Sequence, residues 1–159
     1  LAVDPYFVVA AAPDDAKLIQ LGRMINTEMP EFIIKKVEEI LAIHGGNKIA
    51  VLGLAYKGNI DDARESPAIE IAKRLKQKKA LQVTTYDPYV ATSDVAQIEA
   101  ALTDSDLALI LCDHDAFKDI APAAIQAMKQ KIVFDTKNIV TGKTRFEAAY
   151  SLGSLPSAQ

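Results

Sequence analysis

Residues 48–75 read KIAVLGLAYKGNIDDARESPAIEIAKRL. The apolar run 48–54 has the composition of a buried strand, and the run from Ser66 to Lys79 has the spacing of a helix. Ser66 followed by Pro67 is a strong helix start, because serine caps free N–H groups and proline suits the first helical position. A strand-to-helix connection needs only a few residues. This one is long, and it carries Lys57, Asp61, Asp62, Arg64 and Glu65. The helix start attracts an anion through its unpaired N–H groups and its dipole. Lys57 and Arg64 flank that end, so the stretch is a candidate phosphate or carboxylate site. Asp61 and Asp62 oppose it: either they pair with the cations and hold the loop rigid, leaving one cation for a ligand, or all four charges form a solvated ion-pair cluster of little consequence.

Downstream the same alternation repeats. Strands are expected at 81–87, 107–112 and 131–136, and helices at 93–102 and 122–129. Strands alternating with helices imply right-handed crossovers and a parallel sheet covered on both faces, an α/β fold. Ligands of such sheets bind beyond the carboxyl ends of the strands, here 54–57, 87–88, 112–114 and 135–138. After Thr141 the pattern weakens: 146–150 is expected to add an edge strand, and 151–159 to be mobile.

Upstream, Leu18, Leu21, Ile25, Met29, Phe32, Ile33, Val37, Ile40 and Leu41 recur at spacings of three and four. They predict a helix from Asp14 to Ile43 that stops at Gly45–Gly46. Pro30 falls inside it and either kinks or restarts it. A helix of this length either connects domains, forms a dimer face, or is a kinked core helix. The chain opens on Leu1 with an apolar segment, LAVDPYFVVAA, which reads as the interior of a longer protein.

The 159 residues suffice for one domain with a real core. A net charge of −3, with both signs interspersed, offers no basic field for nucleic acid or an anionic membrane. No apolar run approaches the roughly 20 residues needed to span a bilayer. The single Cys112 cannot close an internal disulfide, which fits a reducing cytoplasm.

Other residues with chemical potential have plain alternatives. G-x-G-x-x-G and G-x-x-x-x-G-K-[ST] are both absent. Asp87 ends the second strand, where a ribose-binding acid often sits, although Asp87-Pro88 suits a turn better. Lys137 stands where a second cation for the same ligand would be placed. Cys112 has the setting of a small buried hydrophobe. His114 lacks a second His or Cys at metal-ligand spacing, and His44 suits a helix C-terminus. Asp4-Pro5 makes either a turn or a tuned catalytic acid.

LAVDPYF (1–7), Asn26 with Met29-Pro30, GLAYKGNIDDARESPA (53–68) and FDTKN (134–138) together resemble the nucleotide-sugar 6-dehydrogenase family of UDP-glucose and GDP-mannose dehydrogenases. Four motifs in the family's order cover about residues 1–140. The resemblance implies residues 1–46 as the end of a catalytic loop plus the central dimerisation helix, and 47–159 as a Rossmann-like domain that binds the nucleotide of a UDP-sugar. It implies NAD as cofactor of the parent enzyme and a homodimer through the 14–43 helix. By resemblance Asp4 is the catalytic acid that follows the family's cysteine after three residues. Tyr56, Lys57 and Lys137 bind substrate, and Arg64 reaches NAD across the cleft. The cysteine and the dinucleotide glycines would lie before Leu1. Ala2-Val3-Asp4-Pro5-Tyr6-Phe7 resembles the N-acetylhexosamine branch, closest to its UDP-N-acetyl-D-mannosamine members. The chain is then expected to be the C-terminal part of such an enzyme, or a stand-alone nucleotide-binding or dimerisation module.

Overall fold

The computed structural model describes residues 4–154. Helix α1 (Asp4–Ala11) and helix α2 (Lys17–His44) precede an alternating block of β1 (Lys48–Leu52), α3 (Pro67–Gln77), β2 (Gln82–Tyr86), α4 (Ile98–Leu102), β3 (Leu107–Ile110), α5 (Pro122–Gln126), β4 (Ile132–Asp135) and β5 (Ala148–Ser151). All neighbouring strands are parallel, in the order β2-β1-β3-β4-β5. The chain moves to one side of β1 to make β2, then returns to the other side for β3. This reversal makes the β1/β3 edge the topological switch point, where such sheets bind ligands.

Alternate residues of each strand feed two cores. Ile49 and Val51 of β1, Leu107 and Leu109 of β3, and Phe134 of β4 pack under α2 and α3. Ala50, Leu52, Ala108, Ile110 and Val133 face α4, α5 and the 3₁₀ turn Asp115–Phe117. Helix α3 begins as its sequence predicts: the Ala68 N–H donates to Ser66 Oγ at 3.2 Å, with Pro67 at the first helical position.

Three expectations need correction. Asp4-Pro5 does not make a turn but opens α1, none of whose residues is buried. Helix α2 begins at Lys17, not Asp14, and runs unbroken through Pro30 without restarting. The region 93–102 is helical only from Ile98, because Asp94 is taken up by β2, accepting from Thr85 N–H and Oγ1–H at 2.9 Å each. The edge strand after Thr141 is present as β5, parallel to β4. Ser151–Ser154 form a hydrogen-bonded turn, whereas the rest of the tail expected to be mobile, and Leu1–Val3, lie outside the described residues.

Helix α2 has two characters. Its C-terminal half places Ile33, Ile34, Val37, Ile40 and Leu41 in the core, and the end is tied to β5 by His44 Nε2 and Tyr150 Oη at 2.7 Å. Its N-terminal half leaves Leu18, Leu21, Met24 and Ile25 exposed, Leu18 by 81%. Ile40→Ala should therefore cost about 2–5 kcal/mol of unfolding free energy, while Leu18→Ala costs well under 1 kcal/mol. Urea denaturation of both variants checks this, and equal losses would contradict it.

Candidate functional site

The long connection leaves β1 at Gly53, whose φ of 93° is open to glycine and where a Cβ would lie 2.5 Å from Cys112 Cβ. Asp87, at the end of β2, then takes hold of the chain. Its Oδ2 accepts from the backbone N–H of Leu54 at 2.6 Å and Ala55 at 3.0 Å, and its Oδ1 from Tyr89 at 2.8 Å and Val90 at 2.9 Å. His114 Nε2 adds a fifth contact, to Oδ2 at 3.0 Å. A carboxylate with about four lone-pair sites has nothing left for a ribose, so the turn reading of Asp87 holds and the ligand reading does not. Burial is the largest influence on Asp87 and disfavours its charge, but the four N–H groups together outweigh it, and the carboxyl titrates below its ordinary range.

Beyond Ala55 the loop makes an excursion closed by Tyr56 N–H donating to Asp62 O at 2.8 Å. Its tip docks on the Asp113–Asp115 segment after β3. Gly58 N–H donates to Asp113 Oδ1 at 2.9 Å, and a Cβ on Gly58 would lie 2.4 Å from Asp113 O. Asn59, with φ of 62°, donates its N–H to His114 Nδ1 at 2.9 Å and exchanges two side-chain hydrogen bonds with Asp115. On the return, Arg64 folds back on Asp62 with Nε and Nη2 at 2.9 and 2.8 Å, and this pairing holds the Asp62 carboxyl down at about 2. The four charges thus do not form one cluster. The Asp62–Arg64 pair is internal to the loop, and among the described residues Lys57 and Lys137 have no acidic partner within ion-pair distance.

A cleft of about 650 Å³ opens between this loop, α2 and the ends of the strands, a size that suits a small organic ligand. Tyr56 and Lys57 line it from the loop, Thr136 and Lys137 from the end of β4, and Ser66 to Ala68 from the start of α3. Arg23, Asn26, Thr27, Met29, Pro30 and Ile33 supply the α2 wall. Glu65 and Glu70 add carboxylates on the α3 side. Three of the expected site residues therefore meet in one cleft. Arg64 is not in its lining, and its side chain is 88% exposed. Asp4 is exposed in the first turn of α1 and is also outside the lining. Lys137 is presented by a turn in which Asp135 accepts from the N–H groups of Lys137 and Val140 at 3.2 and 2.9 Å.

Sequence reasoning did not read the α2 wall, or the Asn59, Asp113, His114 and Asp115 anchors, as parts of the site. The signal available was the pair of polar tripeptides at adjacent strand ends, Lys57-Gly58-Asn59 and Asp113-His114-Asp115. Cys112 is buried as expected, and burial first, then Asp113, pushes its thiol up to about 11, so it is no nucleophile.

A parallel sheet with a cation-bearing cleft at its switch point defines an α/β nucleotide-type binding domain. Residues 50–142 match the family model described as the UDP-glucose/GDP-mannose dehydrogenase family, UDP binding domain, and the chain belongs to that family. It is 34% identical over 150 residues to an NDP-N-acetyl-D-galactosaminuronic acid dehydrogenase of Ralstonia nicotianae, an alignment covering 90% of this chain and 35% of the relative. It is 35% identical over 146 residues to the UDP-N-acetyl-D-mannosamine dehydrogenase of Methanocaldococcus jannaschii, covering 88% of this chain and 34% of that one. The structure superposes on a UDP-N-acetyl-mannosamine dehydrogenase from S. aureus with a TM-score of 0.86 and 43% identity, over 97% of this chain and 37% of the other. The chain thus spans about a third of the length of the relatives it matches. Among the described residues, no helix is long and apolar enough to cross a membrane.

The Asp87 network predicts a pH response. A carboxyl whose folded pKa lies below its unfolded value, about 3.9, adds stability that is present above pH 4 and is lost as pH falls through the folded pKa. Thermal melts from pH 6 to pH 2 should show this acid limb. Asp87→Asn should cost about 1–3 kcal/mol near neutrality, because its amide would face backbone donors, and should flatten the limb.

Proposed function

We propose that this chain is the nucleotide-binding, dimer-forming C-terminal part of an NAD-dependent nucleotide-sugar 6-dehydrogenase that oxidises the C6 alcohol of a UDP-N-acetylhexosamine, of the UDP-N-acetyl-D-mannosamine type, to the uronate in the cytoplasm. The observation that carries this reading is the meeting of Tyr56, Lys57 and Lys137 in one cleft at the switch point of the sheet. The diphosphate of a nucleotide-sugar is an extended dianion, and two ammonium groups with no acidic partner among the described residues, beside a helix N-terminus, offer it charge-assisted hydrogen bonds. Tyr56 is 44% exposed, leaving its ring free for contact with a base or sugar.

NAD, bound to the parent enzyme, supplies hydride acceptance at C6. The 159 residues carry no dinucleotide fingerprint, and Arg64 is the residue proposed to meet this cofactor. Its position outside the cleft supports that division of roles, and its Asp62 pairing holds the guanidinium ready on the loop. The role of Asp4 as the acid near the reacting carbon rests on the resemblance around residues 1–7. A stand-alone binding module is the second reading, and the buried, high-pKa Cys112 favours it for these residues taken alone.

Calorimetric titration with UDP tests the site. Lys57→Ala should weaken binding about tenfold, the loss of one charge-assisted contact, with the effect shrinking in added salt. Arg64→Ala should leave UDP affinity nearly unchanged. Equal losses would undo the division of roles, and absence of binding at millimolar UDP would remove the site from this chain.

A homodimer through α2 (Lys17–His44) is the second part of the proposal. Its support is the exposed apolar set Tyr6, Phe7, Leu18, Leu21, Met24 and Ile25 on α1 and the first half of α2. Light scattering at high micromolar concentration should give a dimer mass that falls towards the monomer in a Leu21→Glu, Ile25→Glu double variant. A monomer mass for the unsubstituted chain would contradict it.

A further inference from the structure

His114 is fully buried, and both its ring nitrogens are engaged by groups with fixed roles. Asn59 N–H, which can only donate, points at Nδ1 from 2.9 Å. The ring proton therefore sits on Nε2 and is donated to Asp87 Oδ2 at 3.0 Å. The ring is wedged in place by Tyr89, with centroids 5.1 Å apart, and by the edge of Phe117 at 5.4 Å. Asp87 in turn holds Leu54 and Ala55, the two residues before Tyr56. One relay, from the buried pair Asp87–His114 to the exposed Asn59, thus grips the loop on both sides of Tyr56 and Lys57.

We propose that His114 is a positioning residue for the ligand cleft: as the neutral Nε2–H tautomer it fixes the tip of the 56–62 loop through Asn59 and so aims Tyr56 and Lys57. The nucleotide consequence rests on the reading above; the loop-positioning claim does not. Without the Nδ1 acceptor, the Asn59 amide has no protein partner and the tip keeps only its solvent-facing bonds to Asp113 and Asp115. An exposed loop so released samples more conformations, and each costs affinity for a ligand that needs one of them.

Two variants separate the bonds. His114→Asn keeps an acceptor near the position of Nδ1 and loses the reach to Asp87. His114→Gln keeps a donor towards Asp87 and loses the acceptor for Asn59. In the isotopically labelled unsubstituted chain, long-range proton–nitrogen correlation should show Nδ1 unprotonated, and Asn59 N–H should exchange slowly although the residue is exposed. In His114→Gln, exchange at Gly58 and Asn59 should speed up about tenfold or more, UDP affinity should fall about tenfold, and the amides of β1 and β3 should stay protected as before. His114→Asn should retain most of the Asn59 protection and UDP affinity while melting earlier.

Unchanged Asn59 exchange in His114→Gln, or a loss spread evenly over loop and strands in both variants, would overturn the proposal. If His114→Gln does not fold, the unsubstituted chain still decides, since an Nδ1–H tautomer or a rapidly exchanging Asn59 amide removes the relay. If that chain does not bind UDP, the nucleotide reading fails, while tautomer and exchange still judge the loop.

Discussion

The buried carboxylate of Asp87 is the interaction on which the rest depends. Taking a charge out of water is costly unless donors surround it, and here four backbone N–H groups and an imidazole do so. The donors come from three separate strand ends: the departing end of β1, the turn after β2 and the segment after β3. One side chain therefore satisfies backbone groups that the sheet no longer pairs and, in the same act, sets where the β1 connection starts. Its counterpart at the opposite edge is Asp106, also buried, which accepts from Asn47 and Lys48 N–H at 2.8 and 2.9 Å where β1 begins. Strand β1 is clamped by a carboxylate at each end.

From this anchoring the cleft follows. The loop is long because it travels from β1 to dock on the Asp113–Asp115 segment after β3 and back before α3 can start. Along that path Asp62 and Arg64 neutralise each other, and Lys57, which lines the cleft with Lys137, has no acidic partner among the described residues. The return ends at Glu65, whose φ of 54° is unusual for that residue; among the described residues the other non-glycine positions with positive φ are Asn59, Asp104 and Asn138, types that tolerate it. That local strain, of order 1 kcal/mol, sits directly before the Ser66 cap and on the wall of the cleft.

Helix α2 joins the two halves of the picture. Its C-terminal turns are core, in one buried cluster with Ile49, Val51 and Leu109. Its N-terminal turns stand clear of the sheet and supply a polar and apolar wall to the cleft through Arg23, Asn26 and Met29. Because the helix is continuous through Pro30, the wall and the core turns belong to one element.

The parallel α/β order, the α3 cap and the cation-bearing ends of the strands were legible in the chain alone. Each of these is a local pattern: apolar runs of strand length, Ser66-Pro67 before a helical period, and Lys57 and Lys137 placed just past β1 and β4. The sequence also carried the family, through motifs whose spacing survives in a single chain. The folded contacts were needed to see that Asp87 is a structural hub and not a ligand acid, that Asp62 and not Asp61 pairs with Arg64, and that His114 faces Asn59. They likewise show that α1 is a helix without a buried face and that α4 is cut short by the contact of Asp94 with Thr85. These outcomes depend on which strand ends the crossovers bring side by side. Asn59 and His114 are 55 residues apart in the chain, and a hydrogen bond between them leaves no periodic trace in the sequence that forms it.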